Sequence, residues 1–267
     1  MSLAAHRTKK ALGQHFLHDR QVVERILRAI DPRPGQRIVE IGPGAGALTF
    51  PLLQRHGELT AIEFDRDLIA PLTEAAARHG ALHIIHADAL SVDFTALAAG
   101  TPLRVVGNLP YNISSPILFH LLDHADAIAD MHFMLQKEVV DRMAAAPGSK
   151  VYGRLSVMLQ AACEVQALFD VPPAAFRPPP KVDSAVVRLR PRGDPGIADA
   201  VLFAGLVKQA FSQRRKTLRN TLHGLCGEAE LRACGIDPSA RAETLAVDDF
   251  RRLTRHLSAS GIGSGPA

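Results

Sequence analysis

Short apolar runs alternate with stretches of helical periodicity between residues 37 and 136 of this chain. The apolar runs have strand length and are RIVEIG (37–42), ELTAIEF (58–64), LHIIHAD (82–88), LRVVGN (103–108) and MHFMLQ (131–136). Helical stretches follow the first two runs, through residues 46–56 and 66–80. Strands separated by helices are typical of βαβ units, so the pattern predicts a parallel sheet with helices on both faces.

Two more strands are predicted nearer the C-terminus. After a predicted helix at 153–164, the runs VQALFDV (165–171) and AVVRLRP (185–191) are joined by the proline-rich stretch PPAAFRPPPKVDS. The two runs are close enough in sequence to form a hairpin-like antiparallel edge. The pattern therefore predicts a seven-stranded, Rossmann-like α/β domain.

The pattern changes after residue 195. Residues 197–257 have helical periodicity and contain no convincing strand, and the chain ends in the Gly/Ser-rich stretch SASGIGSGPA. We predict three parts: an α/β domain with a basic N-terminal segment at 1–195, a small helical domain at 196–258, and a disordered tail at 259–267.

Composition excludes several classes of protein. The 267 residues are 47% hydrophobic and 22% charged, and no uninterrupted apolar stretch is long enough to span a membrane. The basic N-terminus lacks the apolar core of a signal peptide, so we expect a cytoplasmic protein with no membrane partner. The cysteines, Cys163, Cys226 and Cys234, are far apart, and neither a metal site nor a disulfide framework is predicted. Cys163 is expected to be a small core residue.

The first predicted strand ends in a glycine-rich turn, VEIGPGAGALT (39–49). Such a turn is the nucleotide-binding corner of a doubly wound sheet, and Gly42, Gly44 and Ala47 satisfy the dinucleotide pattern G-x-G-x-x-G/A. Two features favour S-adenosylmethionine (SAM) instead. Glu40 suits a cationic ligand better than a pyrophosphate, and Pro43 removes an N–H group that a phosphate would use.

Carboxylates also end the second and third predicted strands. Glu63 lies about 20 residues after the glycine turn, where an acid accepts hydrogen bonds from ribose hydroxyls of either cofactor. Asp88 is placed to accept a hydrogen bond from an adenine amino group. The alternative for Asp88 is an N-cap of the next helix.

The fourth strand ends in NLPY (108–111), a rigid turn beside the predicted cofactor site. An exocyclic amine on a nucleobase is a poor nucleophile because its lone pair is delocalised into the ring. The side-chain oxygen of Asn108 and the main-chain carbonyl of Leu109 could accept its hydrogens and draw the lone pair toward a methyl donor, while Tyr111 stacks on the base. Such a transfer depends mainly on positioning and electrostatics. The alternative is a structural Asx turn with the tyrosine in the core.

Two segments concentrate basic residues in a chain of net charge +4 and pI near 9.2. They carry Lys208, Arg214, Arg215, Lys216 and Arg219 within residues 205–220, which contain no acid, and Arg7, Lys9 and Lys10 within the first ten residues. A polyanionic partner is indicated, with nucleic acid first, although a solvated helix face is the alternative. If residues 213–220 are helical, Arg215 and Arg219 share one face.

Several motifs in order carry a family resemblance. NLPY resembles the [N/D]-[P/L/I]-P-[Y/F/W] signature of amino-group methyltransferases. The others are GQHFL (13–17), VEIGPGAGALT, AIEFDRDL (61–68), GNLPYNISSPI (107–117), HFMLQKEVVDRM (132–143), YGRLSV (152–157), FRPPPKVDSAVVRL (176–189) and FSQRRKTLRN (211–220). Over nearly its whole length the chain resembles the bacterial ribosomal RNA adenine N6,N6-dimethyltransferases of the small subunit.

This resemblance implies a cofactor, a substrate and site residues. It implies SAM-dependent dimethylation of N6 of two adjacent adenosines near the 3′ end of small-subunit (16S) rRNA, within the pre-30S particle, by a monomer. The implied cofactor contacts fall on His15, Leu17, Gly42, Glu63, Asp88 and Asn108. Many members of the family have Asn where this chain has His15. Phe176 matches an aromatic residue that clamps the base opposite Tyr111, and its alternative role is a loop anchor in the core.

Three functional hypotheses follow from the sequence. The first is the rRNA adenine dimethyltransferase. The second is a protein that keeps the fold as a nucleic-acid-binding or assembly factor, against which the intact NLPY and glycine turn argue. The third is a nicotinamide-dependent oxidoreductase, which only the glycine turn supports.

Overall fold

The structure, a computed structural model, describes residues 15–110 and 113–261. Its strands in these residues are β1 (Phe16–Leu17), β2 (Arg37–Ile41), β3 (Glu58–Glu63), β4 (Ala81–His86), β5 (Leu103–Asn108), β6 (Ile128–Gln136), β7 (Cys163–Val171), β8 (Phe176–Arg177) and β9 (Ser184–Pro191). Seven of them form one sheet in the order β4-β3-β2-β5-β6-β9-β7. The predicted seven-stranded, Rossmann-like sheet is confirmed.

Neighbouring strands from β4 to β6 are parallel, whereas β9 runs antiparallel to β6. The last two predicted strands are neighbours in the sheet, as expected. However, β9 lies between β6 and β7, so β7 alone forms that edge. The two remaining strands, β1 and β8, form a separate antiparallel pair that the sequence pattern did not predict.

The helices connect these strands and continue after the last of them. They are α1 (Arg20–Ile30), α2 (Thr49–His56), α3 (Arg66–Ala76), α4 (Phe94–Ala98), α5 (Ser114–Asp123), α6 (Lys137–Met143), α7 (Arg154–Ala162), α8 (Ala200–Ala210), α9 (Leu218–Thr221), α10 (Glu228–Ala233) and α11 (Val247–Ala259). None of the described helices has both the length and the apolarity needed to cross a lipid bilayer.

Helix α1 shows how the sequence specifies one of these elements. The side chain of Asp19 accepts N–H groups at the start of the helix, which are otherwise without partners, and so defines its first turn. Apolar residues then recur every three or four positions and face the core, namely Val22, Ile26, Leu27 and Ile30. The helix ends at Ile30, and the C-cap residue Asp31 has a left-handed backbone with φ of 47°.

The chain divides into two compact units. The first contains residues 1–140 and 166–191, and the second contains residues 141–165 and 192–267. The segment 141–165 thus belongs with the C-terminal helices, whereas the sequence analysis assigned it to the first domain. The reason is its side chains: Tyr152 and Val157 are buried in one core with Phe203 of α8 and Leu253 of α11. In the second unit, residues 192–261 contain helices and no strand.

The basic segment FSQRRKTLRN is not a continuous helix. Helix α8 ends at Ala210 and α9 begins at Leu218, so the prediction of a helical face shared by Arg215 and Arg219 is wrong. Residues 212–216 contain no apolar side chain that could hold a helix on a core. At the end of α8, the Ser212 hydroxyl donates to the carbonyl of Gln209, a local hydrogen bond that competes with helix continuation.

A buried guanidinium joins α1 to the centre of the sheet. Arg104 of β5 donates Nε and Nη2 to the carboxylate of Asp130 on β6, at 2.9 and 2.8 Å. Its remaining N–H groups reach Gln36 at 2.8 Å and the main-chain carbonyls of Ile30 and Asp31 at 2.5 and 3.2 Å. The side chains of Arg104 and Asp130 are only 11% and 12% exposed. All five N–H donors of the guanidinium therefore have acceptors.

We expect Asp130→Ala to destabilise the first unit, because it leaves the Arg104 charge buried without its counter-ion. The free energy of unfolding in urea should fall by about 3–5 kcal/mol. Glu24→Ala, which breaks the exposed Arg55–Glu24 pair, is the control and should cost less than about 1 kcal/mol. Hydrogen exchange at the amides of β5 and β6 assigns the loss to the first unit. Equal losses in the two variants would contradict the role given to Arg104.

Candidate functional site

A cavity of about 310 Å³ opens in the first unit at the carboxyl ends of the parallel strands. Its walls come from the residues that follow β2, β3, β4 and β5, together with β1. Strand β2 neighbours both β3 and β5 here, which makes this the switch point at which doubly wound sheets bind ligands. The structure brings together at this cavity Leu109 and every predicted cofactor residue, namely His15, Leu17, Gly42, Glu63, Asp88 and Asn108.

The glycine turn directs its N–H groups into the protein. Gly42 donates to the carbonyl of Ile62 at 2.9 Å, Gly44 to the Glu63 carboxylate at 3.3 Å, and Gly46 to the carbonyl of Pro43 at 2.9 Å. All three glycines have positive φ, between 54° and 84°, a conformation that other residues rarely adopt. Because these donors are already used, the turn does not present them to a pyrophosphate.

Two buried carboxylates face the cavity. Glu40 is 2% exposed and accepts a hydrogen bond of 2.7 Å from the Thr49 hydroxyl. Burial, reinforced by the nearby charge of Glu63, raises the pKa of Glu40 to about 7 although the Thr49 bond opposes the shift. Burial also raises the pKa of Glu63, against hydrogen bonds from the main-chain N–H groups of Asp65 and Gly44.

The charge of the cavity selects the sign of its ligand. Among the described residues that line it are the carboxylates Glu40, Glu63 and Asp88, and no Lys or Arg. A pyrophosphate would meet uncompensated negative charge, whereas a sulfonium cation would be attracted. These carboxylates therefore fit SAM and favour it over a dinucleotide.

Asp88 is the N-cap that the sequence offered as an alternative, and its contact with an adenine stays a prediction. Its Oδ1 accepts the N–H of Leu90 at 3.0 Å, so it caps the short 3-10 helix Ala89–Ser91. It also lines the cavity. The capping bond fixes the carboxylate at the cavity wall, where it would face a bound adenine.

The NLPY turn begins at the last residue of β5. Asn108 is half-buried, and its Nδ2 donates to the main-chain carbonyl of His15 at 3.1 Å. The carbonyl of Pro110 already accepts the N–H of Ile113 at 3.2 Å and the hydroxyl of Ser114 at 3.1 Å. This leaves the carbonyl of Leu109, rather than that of Pro110, as the better candidate for a second acceptor. Tyr111 lies outside the described residues.

A glycine just before this turn allows it to approach the end of β2. A Cβ atom on Gly107 would lie 2.5 Å from the main-chain oxygen of Ile41. The neighbouring strands therefore require glycine here, and the close approach brings Asn108 beside the glycine turn.

Phe176 lies in the core and does not line the cavity. Its ring is 2% exposed and packs in the core of the first unit with Leu17, Met134 and Val186. In this arrangement it anchors β8, the alternative that the sequence left open. A stacking role against a base stays a prediction.

The basic residues in the second unit differ in their partners. Arg214 pairs with Glu243 at 2.9 Å and donates to the carbonyl of Lys150, and Arg219 lies 3.7 Å from Glu228. Of the five basic candidates in residues 205–220, the three with no ion-pair partner in the described part of the chain are Lys208, Arg215 and Lys216. The N-terminal candidates lie outside the described residues, and they are Arg7, Lys9 and Lys10.

Sequence reasoning missed two aromatic residues at the cavity. Phe16 and Phe64 line it, and Phe64, at 61% exposure, is the one exposed ring among the described Phe and Tyr residues. Phe64 could have been predicted from its position in the sequence, because it directly follows Glu63 at the end of β3. Phe16 depends on the β1–β8 pair, which no local pattern indicates.

Comparison with known proteins agrees with this geometry. The family described as "Ribosomal RNA adenine dimethylase" matches residues 5–258. The chain is 71% identical over 247 residues to the Ribosomal RNA small subunit methyltransferase A of Xanthomonas campestris pv. campestris (strain B100), covering 92% of this chain and 94% of that protein. The protein of the same name from Xanthomonas axonopodis pv. citri (strain 306) is 73% identical over 248 residues, with the same coverage.

Two solved structures share the fold. A dimethyladenosine transferase from Plasmodium falciparum superposes with a TM-score of 0.82 at 26% identity, covering 93% of this chain and 99% of that one. The 23S rRNA methyltransferase ErmE gives a TM-score of 0.72 at 28% identity, covering 91% and 99%. The oxidoreductase hypothesis is therefore excluded. A SAM site at the end of a Rossmann-like sheet, an NLPY turn beside it and these relatives lead to one conclusion: the chain belongs to the ribosomal RNA adenine dimethylase family and is a SAM-dependent methyltransferase.

Proposed function

We propose that this protein dimethylates N6 of two adjacent adenosines near the 3′ end of small-subunit (16S) rRNA, within the pre-30S particle late in assembly. The observation that carries the proposal is Asn108, which stands at the wall of a cavity lined by carboxylates. The names of the Xanthomonas relatives support the small subunit as the source of the RNA. We also propose that the enzyme acts as a monomer and works in the cytoplasm, on the ribosomal subunits that are its substrate.

We assign the cofactor contacts to the residues that line the cavity. SAM supplies an electrophilic methyl group on its sulfonium. Glu63 would accept hydrogen bonds from the ribose hydroxyls and Asp88 one from the adenine amino group, while Gly42 lets the main chain approach. His15 and Leu17 would close the N-terminal side of the site, since both line the cavity.

The target amine would be activated by hydrogen-bond acceptors rather than by a strong base. Asn108 Oδ1 and the carbonyl of Leu109 would accept its two hydrogens and direct the nitrogen lone pair out of the ring plane. The nitrogen loses its proton readily once it carries positive charge, so no buried general base is needed. The target base must leave any helix to reach these groups, and Tyr111 would stack on it.

RNA affinity would come from the basic residues of the second unit. The catalytic site would bind a single target nucleotide, which is too small a contact to select a site on a ribosomal subunit. Arg215, Lys216 and Lys208 are exposed and have no ion-pair partner in the described residues, so their charges are available to phosphates. Contacts of this kind supply affinity and register without reading the sequence.

The pKa of Glu40 predicts how SAM affinity depends on pH. With a pKa of about 7, Glu40 is mostly protonated at pH 6 and must lose a proton before it can attract the cation. Affinity should therefore rise as the pH increases from 5.5 to 7, by up to about tenfold per unit. Calorimetry on Glu40→Gln, which cannot ionise, should give a flatter profile, and it controls for titration of SAM itself. Parallel profiles would exclude Glu40 as the titrating group.

Asn108→Ala should lower methyl transfer far more than RNA binding. The loss of one pre-organised acceptor costs about a hundred- to a thousandfold in turnover. The assay uses SAM and undermethylated small subunits, with dimethyladenosine measured by mass spectrometry. Asn220→Ala, the same change at an exposed position in α9, should leave turnover unchanged.

Two outcomes of this assay would count against the proposal. Near-normal turnover of Asn108→Ala at saturating SAM would remove the catalytic role of the amide. A wild-type protein that binds subunits and SAM but forms no dimethyladenosine would favour an assembly factor that has kept the fold.

The RNA contact can be tested with a charge-matched pair of variants. We expect Arg215→Ala, which removes one unpaired positive charge, to weaken subunit binding and to make its salt dependence shallower, by about 0.7–0.9 log units for the lost phosphate contact. Arg214→Ala also removes a positive charge, but one paired with Glu243, so the salt slope should change less. SAM affinity should be unchanged in both. If neither variant changes the salt dependence of subunit binding, the phosphate contacts must be sought at Arg7, Lys9 and Lys10.

A further inference from the structure

The donor end of the Asn108 amide faces the N-terminal segment of the chain. Its Nδ2 lies 3.1 Å from the main-chain oxygen of His15, 93 residues away in sequence. A carbonyl oxygen can only accept, so the amide must turn its NH₂ group toward His15. The Oδ1 atom then points to the opposite side of the amide. One hydrogen bond therefore decides which end of Asn108 is presented as an acceptor.

The carbonyl of His15 is itself held on both sides. The His15 ring lies 2.8 Å from the carbonyl of Pro178 through Nδ1, which must carry the proton because its partner only accepts. After it, Phe16 and Leu17 pair with β8, and the N–H of His18 donates to the carbonyl of Ala175 at 2.9 Å. We call this set of contacts the β1–β8 clasp.

Residues of the β1–β8 clasp pack in the core of the first unit. Leu17 and Phe176, directly opposite each other in the strand pair, are 5% and 2% exposed. Both belong to the same buried cluster as Met134 of β6. The main chain of Leu109 donates to the carbonyl of Met134 at 3.2 Å. The clasp and the NLPY turn therefore have a common support, which keeps the distance between His15 and Asn108 short.

We propose that the main-chain carbonyl of His15 is a positioning group for methyl transfer, which holds the Asn108 amide with Oδ1 available to the target amine. The proposal rests on the function proposed for Asn108. An amide rotated by half a turn would present NH₂ to the hydrogens of the amine and repel them. The N-terminal segment thus acts on the chemical step through Asn108, in addition to any contact with the cofactor.

Asn108→Asp separates the two ends of the amide. An ionised aspartate keeps acceptors for the amine but cannot donate to His15 and is repelled by its carbonyl. A protonated aspartate can donate its O–H to His15 and accept with its other oxygen, as the amide does. Turnover of the variant should therefore be at least about tenfold below wild type at pH 8, since misplaced groups cost up to about a hundredfold, and it should recover as the pH is lowered toward the pKa of the introduced carboxyl.

The wild-type protein, assayed in parallel, should show no such recovery at low pH. An Asn108→Asp variant that matches wild-type turnover at pH 8, or whose profile parallels the wild-type profile, would overturn the proposal. If the variant is inactive at every pH, a double-mutant cycle of His15→Ala and Asn108→Ala decides whether His15 positions Asn108.

A double-mutant cycle tests the clasp itself. His15→Ala removes the ring contact with Pro178 and should lower kcat by about tenfold at saturating SAM and RNA. In the Asn108→Ala background the same change should have no further effect on kcat, because His15 acts through Asn108. His15→Asn, which restores a side-chain donor, should recover most of kcat. His83→Ala, at an exposed position in β4, is the matched control and should leave kcat unchanged.

The outcomes separate this proposal from the proposed function. A change confined to the KM for SAM, or an undiminished effect of His15→Ala in the Asn108→Ala background, would make His15 a cofactor contact only and overturn the positioning role. Failure of the wild-type protein to methylate RNA would instead refute the proposed function. Far-ultraviolet circular dichroism and the melting temperature of each variant show that the comparison is between folded proteins.

Discussion

The geometry of this site depends on the largely buried guanidinium of Arg104, which connects β5 and β6 to the end of α1. It lies near the start of β5, and Asn108 ends the same short strand, so the position of one fixes the position of the other. Arg104 also binds the last carbonyls of α1. Because β1 comes just before α1, holding the helix also limits where β1 can lie. The same side chain therefore relates the position of Asn108 to that of the N-terminal segment, to which Asn108 donates a hydrogen bond.

Electrostatics complement this framework. In the cavity, carboxylates are buried without basic neighbours, a cost that a cationic ligand relieves. In the second unit Lys208, Arg215 and Lys216 are of opposite sign and exposed, so the RNA proposed as substrate would meet them with little desolvation. On this proposal, cofactor and RNA are recognised separately by charges of opposite sign. No cluster of metal-ligating side chains occurs among the described residues.

Local periodicity explains which features could be predicted from the sequence. The strands of the large sheet are apolar runs bounded by turn residues, so they and the residues at their carboxyl ends were placed correctly, from Gly42 to Asn108. The β1–β8 pair was missed because each strand has only two residues and the pairing joins opposite ends of the first unit. The helix expected through Arg215 failed because charge spacing alone cannot hold a helix without an apolar face. The burial of Phe176 likewise depends on tertiary packing.

The division into two units constrains how the chain can be made and cut. Strand β9 enters the sheet between β6 and β7, but it is synthesised after residues 141–165, which belong to the other unit. A nascent chain that ends before β9 therefore has an open sheet, while Tyr152 still lacks the C-terminal helices that bury it. The first unit is completed only by residues 166–191, which follow residues 141–165 of the second unit. The second unit is completed only by the residues after 191. No single break in the polypeptide separates them, so the methyltransferase sheet and the helical unit cannot be exchanged as consecutive cassettes.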